Sequence, residues 1–438
     1  MDEILSWGER ALEGAARVRE KNHELRGRAG TLLLLLRGAY FTGENKWRAL
    51  AEEDLRALWR SGAHDHIGGG FFSGSRDREW LRPVFEKRLD DNAVLAYFYT
   101  EAWQSGRMAF YRAAAEEALD FCLRELAAPS GLCCAGQYAA HPEAEDNPYL
   151  FTPAQVCGLL GEEAGRHFAE CYDVTAEGNC GAGSIPNLIL NQRWSFVPEG
   201  YDDFREILRL AREERGGIVT DTRTPLAANA LLLAALARAG RVFEERRYLA
   251  AAEELCAALA AAERLAGPEE RAARTFARLE LYAADFDPAQ LAAAAQEAAA
   301  LPTAPKNDRA LALAALCFDA LLSLTGDGRW RTRRGETLRE LCLHADRHGP
   351  ESVSGLCALL SAAHTSRRVL CVSPTEEIPP ALAALGARYA PDLRLLLKTP
   401  ARTEALAASV PDSASFEIGN NILFYPCFDG IWGSPTGF

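Results

Sequence analysis

The stretch HDHIGGGFFSGSRDREWLRPVFEKRLDDN, residues 64–92, differs from the rest of the chain, most of which has the pattern of amphipathic helix. Each glycine of its triplet at 68–70 would cost a helix about 1 kcal/mol relative to alanine. These glycines favour a loop with positive φ angles, or a backbone held close to another group. A helix is predicted to begin near Pro83, since proline is tolerated in a first turn. A polar loop leading into a polar helix predicts a binding site.

A recurring pattern predicts the fold of the remaining chain. An apolar helix ends, a glycine follows, and an aromatic residue begins a helix rich in Ala, Glu, Arg and Leu, at Gly43, Gly106, Gly240 and Gly326. Glycine just beyond a helix is a common left-handed cap. Repeated helical hairpins indicate an α/α architecture, which stacks into an open superhelix or closes into a toroid. The segment 268–300 is rich in alanine.

The pattern changes at Arg367. Short β-type runs then alternate with helical segments, in the order 369–372, 376–388, 393–397, 401–408 and 422–425. This alternation predicts a small β-α-β-α-β unit. We therefore expect two domains, a helical domain over residues 1–366 and an α/β appendage over residues 367–438.

Composition limits the partners. A net charge of −13 argues against nucleic acid, whose phosphates require a basic surface, and against an anionic membrane surface. The first residues, MDEILSWGER, lack the basic and apolar regions of a signal peptide. The run of five leucines at residues 32–36 is too short to cross a bilayer. We therefore expect neither a nucleic-acid partner nor a membrane partner.

The cysteines predict the compartment. The chain has 12 cysteines without a regular spacing, and several lie among Ala and Leu on predicted helix faces. We interpret them as reduced core residues, which predicts a cytoplasmic protein. No phosphate-binding loop, dinucleotide-binding pattern or Gly-x-Ser-x-Gly pattern occurs, so we predict no cofactor.

The stretch around the glycines also resembles a known family. The matching residues, in order, are Asp65, Gly68, Gly69, Gly70, Phe71, Ser75, Asp77, Trp80, Pro83, Phe85, Glu86, Lys87, Leu89, Asp91, Asn92 and Ala93. On these residues the chain resembles the helical part of the thioredoxin-domain-containing proteins of the spermatogenesis-associated protein 20 type. It departs from the pattern at Val84, Arg88, Asp90, Ala228 and Ala230, where the family has His, Met, Tyr, Trp and Gly.

The resemblance implies a mainly α fold, an (α/α) toroid of helical hairpins like the six-hairpin glycosidases and N-acylglucosamine 2-epimerases. It implies a central cavity lined by loops that include residues 64–80, and by analogy of fold a sugar or polyol ligand. Family members carry an N-terminal thioredoxin-like domain. We expect that domain to be absent here, and we expect a separate thioredoxin-like protein as a partner.

The candidate site residues follow from the stretch and the resemblance. We predict three catalytic candidates, which are His66, Glu86 and Asp91. We predict a ligand-binding set of His64, Asp65, Gly69, Trp80, Lys87, Asn92, Asp221 and Asn229. Glu86, Asp90 and Asp91 offer carboxylates at helical spacing, and glycosidases use paired carboxylates. The alternative is a solvated helix face with a Lys87–Asp91 ion pair.

Two histidine patterns raise the question of a metal. His64 and His66 form a His-x-His pair, which needs further ligands to hold zinc. His344 and His348 lie four residues apart, on one face of a predicted helix. A hydrogen-bonded loop explains the first pattern, and favourable cations near a helix C-terminus explain the second. We therefore predict no metal.

Two functions compete. In the first, the protein is a sugar epimerase, isomerase or glycosidase-type enzyme with His and carboxylate acid/base residues. In the second, it is a divergent, non-catalytic or weakly active protein that binds a small polar ligand. The departures from the family pattern favour the second, because the replaced side chains include a Trp that would serve as a stacking surface.

Overall fold

The computed structural model describes residues 10–17, 24–181, 183–191, 201–262, 267–348, 356–364 and 366–436. Its chain forms two compact units. The first unit comprises Arg19–Leu32 and Leu50–Leu232. The second unit comprises Met1–Val18, Leu33–Ala49 and Leu233–Phe438. The predicted fold class is confirmed as mainly α, with helical hairpins and a small α/β appendage. Closure of the hairpins into a toroid stays a prediction.

Helices and three short strands build the first unit. The elements before and within it are α1 (Leu25–Thr42), α2 (Asn45–Arg60), β1 (Glu86–Arg88), α3 (Leu89–Gly106), α4 (Ala109–Glu125), β2 (Gly136–Ala139), α5 (Pro153–Leu160), α6 (Glu162–Cys171), α7 (Asp202–Arg215) and β3 (Ile218–Asp221). Helix α3 is buried around most of its circumference, as expected for a core helix. It packs in a hairpin with α4, which contributes Phe110, Tyr111 and Phe121 to the core.

The three strands form an antiparallel sheet in the order β1-β2-β3. Its register places Glu86 opposite Tyr138, and Tyr138 opposite Val219. A Cβ added at Gly136 would collide with the carbonyl oxygen of Lys87, so β2 needs glycine where it meets β1. One face of the sheet packs on the cluster Phe72, Phe85, Ala139, Tyr149, Leu150 and Ile185.

The second unit contains the remaining helices and the appendage. Its elements are α8 (Leu226–Phe243, which begins in the first unit), α9 (Arg246–Ala261), α10 (Pro268–Asp285), α11 (Pro288–Ala299), α12 (Asp308–Thr325), α13 (Gly328–His348), α14 (Leu356–Ala362), β4 (Arg367–Val372), α15 (Pro380–Gly386), β5 (Leu393–Lys398), α16 (Thr403–Ser409), β6 (Leu423–Phe428) and β7 (Ile431–Trp432). Helices α10 and α11 form a hairpin of 18 and 12 residues, so only the second helix of the Ala-rich segment is short.

The appendage has the strands predicted from sequence and one more. Strands β4 and β5 are parallel, β6 pairs antiparallel with β4, and β7 adds an edge, in the order β5-β4-β6-β7. The predicted alternation of strands and helices is confirmed. The domain boundary at residue 366 stays a prediction, and the appendage clusters with the helices of the second unit.

The predicted glycine caps hold at two of the four positions. Gly43 and Gly326 adopt φ angles of 72° and 70°, as helix-closing glycines do. After α3 the left-handed residue is Arg107, with φ 54°, rather than Gly106. Gly240 lies inside α8, where a Cβ would come within 2.9 Å of the backbone nitrogen of Leu249. That glycine therefore allows α8 and α9 to approach each other.

Helix α8 is the one helix in the described ranges with the length and apolar composition of a membrane span. In the folded chain 89% of its apolar window is buried against protein. This burial is typical of a core helix, because a membrane span exposes its apolar surface to lipid.

We predict that Gly240→Ala lowers the free energy of unfolding by about 1–3 kcal/mol, because the added methyl overpacks the α8–α9 contact. Urea denaturation measures the change. Gly335→Ala is the matched control, since that glycine is exposed within α13 and an added Cβ would meet nothing within 4 Å. It should stabilise the protein by about 0.5–1 kcal/mol. Equal effects of the two substitutions would contradict the assignment of Gly240 to a close helix contact.

Candidate functional site

The glycine triplet forms a buried turn organised by Asp65. The Asp65 backbone bonds to Gly70 O and Gly69 N at 2.9 and 2.8 Å, and its Oδ1 accepts from the Ile67 and Gly68 amides at 3.1 Å. Gly69 and Gly70 have φ angles of 73° and 77°, as the sequence predicted. A Cβ on Gly68 would collide with the Arg212 guanidinium, so the predicted close approach is also present.

The Asp65 carboxylate binds two cations inside the first unit. Lys87 Nζ lies 2.7 Å from its Oδ2, and Arg212 Nη1 lies 3.0 and 2.9 Å from its two oxygens. Burial by itself would raise the pKa of Asp65, but Arg212 and Lys87 outweigh burial and hold that pKa well below its usual value. Burial lowers the pKa of Lys87 to about 8 against the opposing effect of Asp65, so the ammonium stays charged at neutral pH.

A second, partly buried ion pair lies beside the loop. Arg205 Nη1 donates to Glu117 Oε1 at 2.8 Å, and Glu117 Oε2 lies 2.7 Å from His64 Nε2, outside hydrogen-bond geometry. Burial would raise the pKa of Glu117, but Arg205 and His64 hold it far below its usual value. We call Asp65, Lys87, Arg212, His64, Glu117 and Arg205 together the buried network.

His66 lies against the buried network, with its ring centroid 4.5 Å from that of His64. Its Nε2 is 3.3 Å from Ser61 O, and its Nδ1 has no hydrogen bond among the described residues. Burial and then the proximity of His64 lower the pKa of His66 well below its usual value. The ring is therefore neutral at physiological pH, and it is 1% exposed.

Two predicted ligand-binding amides instead hold backbone segments. Asn92 Oδ1 accepts from Phe71 N at 2.6 Å, and its Nδ2 donates to Phe71 O at 3.0 Å. Asn229 forms the same pair with Cys133, at 2.6 and 3.0 Å. Both side chains are fully buried. Each amide makes the same two hydrogen bonds to a backbone N–H and C=O that a neighbouring β-strand would make. We call such an amide a backbone clamp, because it joins two chain segments.

Trp80 and Gly69 are also packed by protein. Trp80 is 3% exposed, has a φ angle of 58°, and lies under the Arg28 guanidinium at 5.6 Å from its ring centroid. The Gly69 carbonyl accepts from Lys87 Nζ at 3.0 Å. Neither residue presents a surface to solvent in this structure.

The prediction that Glu86 and Lys87 lie on a helix is wrong. They belong to β1, and α3 begins at Leu89. Alternation along the strand turns Lys87 inward to Asp65 and turns Glu86 and Arg88 outward. The expected Lys87–Asp91 ion pair gives way to the Lys87–Asp65 pair, because side chains of β1 and α3 do not share a helix face.

Three of the predicted residues surround Arg88. Glu86 lies on the same side of β1, and Asp221 lies in the same cross-strand row through Gly136. Arg88 Nε is 3.5 Å from Asp90 Oδ1 and 4.0 Å from Asp91 Oδ2, at the first turn of α3. Most of the predicted residues therefore fall into two groups, one at the buried network and one on the side of Arg88, where Asp91 itself is 3% exposed. Trp80 lies apart from both, against Arg28. Asn92 and Asn229 belong to separate backbone clamps.

The sequence analysis missed the cations of α7 and the acid of α4. Arg205, Arg209 and Arg212 recur at spacings of four and three residues, which places them on one helix face. This pattern is the available signal, although it does not name Asp65 or Glu117 as partners.

Among the described residues no group of three or more His, Cys, Asp or Glu side chains is arranged to hold a metal. His344 approaches Asp308 Oδ2 at 3.2 Å, and the His348 side chain lies outside the described part.

We predict that Lys87→Met lowers the free energy of unfolding by about 3 kcal/mol or more, because it leaves a buried carboxylate with half of its cationic partners. Chemical denaturation measures the loss. Arg76→Met is the matched control, because Arg76 pairs with Glu143 on the exposed surface. It should change stability by about 1 kcal/mol or less. A Lys87→Met protein as stable as the control would show that the buried pair does not hold the loop.

We predict that stability falls as the pH drops below about 6.5, the usual histidine pKa. The folded state keeps His66 neutral while the unfolded state takes up a proton, so the proton favours unfolding. The slope should be at most about 1.4 kcal/mol per pH unit for this group. Urea unfolding from pH 7.5 to 5.5 measures it. His66→Gln should reduce the slope, and the exposed His141→Gln should leave it unchanged. An unchanged slope in His66→Gln would refute this assignment.

Comparison with known proteins supports the sequence interpretation. No family model matches the chain. It is 32% identical over 157 residues to spermatogenesis-associated protein 20 of Mus musculus, covering 32% of this chain and 19% of that protein. The Homo sapiens protein gives 32% identity over 156 residues, covering 31% and 19%. The chain thus spans about a fifth of the length of these relatives.

Two similar solved structures are glycoside-processing proteins. A family 76 glycoside hydrolase from a bovine Bacteroides thetaiotaomicron strain is 12% identical, with a TM-score of 0.39 over 64% of this chain and 46% of that one. An inactive variant of the α-1,6-mannanase of Salegentibacter sp. HEL1_6 in complex with α-1,6-mannotetrose is 12% identical, with a TM-score of 0.37 over 78% and 75%. In sequence, the predicted resemblance is confirmed: over about a third of its residues this chain is similar to spermatogenesis-associated protein 20.

Proposed function

We propose that this protein binds a small polar ligand, a sugar or polyol, without chemically transforming it. The observation that carries the proposal is the position of the predicted acid/base and charged groups. Asp65, Lys87 and His66 are each at most 2% exposed, and the two charged groups are paired with protein partners. The side chains that an enzyme would use at the glycine loop are therefore buried within the fold, where the charged ones stabilise it.

General acid/base catalysis needs a group within hydrogen-bond reach of the substrate, with a pKa near the working pH. His66 fails both requirements in this structure, because it is buried and its pKa is far below its usual value. Lys87 has a lowered pKa, but its ammonium already donates to Asp65 and to Gly69 O. Neither group is available to a substrate without unfolding the turn.

The ligand class is the one that the sequence resemblance implies. The cytoplasmic location is supported by the cysteines, all twelve of which are free thiols in the structure. A separate thioredoxin-like protein remains a proposed partner, on the resemblance alone.

One observation favours an enzyme as the second candidate. Asp90 and Asp91, which are 8% and 3% exposed, occupy the first turn of α3 next to Arg88, and the partly exposed Glu86 lies on the same side of β1 as Arg88. Glycosidases use a pair of carboxyl groups that flank the scissile bond. In this alternative these carboxylates, rather than His66, carry the reaction.

We predict ligand binding without turnover. Differential scanning fluorimetry with neutral monosaccharides and polyols should show stabilisation that grows with ligand concentration, about 2.7 kcal/mol at a hundredfold excess over Kd. NMR of the same mixtures should show neither epimerised sugar nor hydrolysed glycoside above the protein-free blank. Product formation that disappears in Asp91→Asn but persists in His66→Gln would replace this proposal with the carboxylate enzyme.

A further inference from the structure

The outward side of the β1-β2-β3 sheet presents a row of side chains that the buried network does not use. The cross-strand register aligns Glu86, Tyr138 and Val219 in one row, and Arg88, Gly136 and Asp221 in the next. Residues of alternate positions, such as Lys87 and Ala139, point to the opposite side and are buried. We call this outward side the sheet face.

The centre of the sheet face is an exposed aromatic ring. Tyr138 is 42% exposed and its neighbour Val219 is 37% exposed, whereas most large apolar side chains of this unit are buried. The Tyr138 hydroxyl makes no hydrogen bond to any part of the chain that the structure describes. An aromatic ring with an apolar body and a free polar end is a surface on which the C–H side of a sugar ring stacks.

Polar groups of both hydrogen-bonding types surround the ring. Glu86 and Asp221 supply carboxylate acceptors, and Arg88 supplies guanidinium donors. The Arg88 side chain is 42% exposed, and that of Asp221 is 27% exposed. Vicinal hydroxyls both donate and accept, so this mixture of groups suits a polyhydroxylated ring.

Gly136 separates Arg88 from Asp221 in the second row. It is buried and adds no side chain between the two charged residues, whose backbones lie about two strand spacings, roughly 10 Å, apart. The added-Cβ collision with Lys87 O explains why β2 carries glycine there. The Tyr138 ring therefore lies beside a row whose side chains are those of Arg88 and Asp221.

The charge of this region selects a neutral ligand. On the sheet face the carboxylates of Glu86 and Asp221 stand against the guanidiniums of Arg88 and Arg223, and two further carboxylates, Asp90 and Asp91, are buried beside Arg88. Asp221 is paired with Arg223, and that hydrogen bond lowers the pKa of its carboxyl, so the acid stays ionised. An excess of carboxylates repels phosphates, sulfates and uronic acids.

We infer that the sheet face is a binding site for a neutral oligosaccharide, with one ring stacked on Tyr138 and its hydroxyls bound by Glu86, Arg88 and Asp221. This inference rests on the proposed binding function and assigns its location, outside the buried network. The ligand lies across the short strands and needs no opening of the glycine turn.

Isothermal titration calorimetry with the full chain tests the assignment. The probes are maltotetraose, cellotetraose and a linear mannotetraose, with tetragalacturonic acid as the anionic comparison. At least one neutral probe should bind, and the anionic probe should bind more weakly. Tyr138→Ala should weaken binding about tenfold or more through loss of the stacked ring, and Tyr138→Phe should retain it within about threefold. Asp221→Asn should weaken binding severalfold and gives a second, independent variant of the face.

Phe428→Ala is the matched control, because Phe428 is an exposed aromatic, 52% exposed, on a strand of the other sheet. It should bind as the unaltered chain does.

Unchanged binding in both Tyr138→Ala and Asp221→Asn would overturn the site and leave the proposed function standing. Failure of every neutral probe to bind would overturn both. Turnover of a probe that needs Tyr138 for binding would support the site and end the non-catalytic proposal. A change in oligomeric state in Tyr138→Ala, without saccharide binding to the original chain, would assign the face to a protein partner and overturn the inference.

Discussion

One carboxylate joins three distant segments of the first unit. Asp65 binds Lys87, 22 residues further along, and Arg212, 147 residues further along. Removing such ions from water costs several kcal/mol each, which close pairing must offset. The arrangement therefore works only when the glycine turn, β1 and α7 occupy fixed places. An unpaired Asp65 would be costly, so the network penalises any other placement of these segments.

This constraint explains which structural features can be predicted from the sequence and which cannot. The glycine triplet predicts its positive φ angles locally, because the conformational preference belongs to the residue itself. Glu86 to Arg88 carry no such local signal. Their strand exists because β2 supplies backbone partners some 50 residues away and β3 in turn pairs with β2, and a three-residue strand has little stability without them. The same is true of Asn229, whose partner Cys133 is 96 residues distant. Long-range pairing thus overrides the helical spacing that the carboxylates share.

The residues behind the sequence resemblance include a buried group. Asp65, Lys87 and Asn92 match the family pattern, and all three are buried and bound to protein atoms. Among the departures, Val84 and Arg88 form a second, substantially exposed group, whereas Asp90, Ala228 and Ala230 are buried. A match at the first group indicates a common way of holding the turn, and it does not by itself indicate a common reaction. A difference at the second group changes what the surface offers to a ligand.

Because side chains alternate in direction along β1, three consecutive residues contribute both to the buried network and to the sheet face. Lys87 points inward and closes the Asp65 network, while Glu86 and Arg88 point outward beside Tyr138. A slip of one residue in the register would exchange these directions. It would bring two charged groups that lack Asp65 as a partner into the core and expose the lysine. Because that exchange costs far more than a surface change, the buried pair also fixes which side chains reach the sheet face. The proposed ligand surface is therefore set by the same electrostatic contact that stabilises the fold, and on this proposal substitutions at Glu86 or Arg88 would alter binding without having to alter the network beneath.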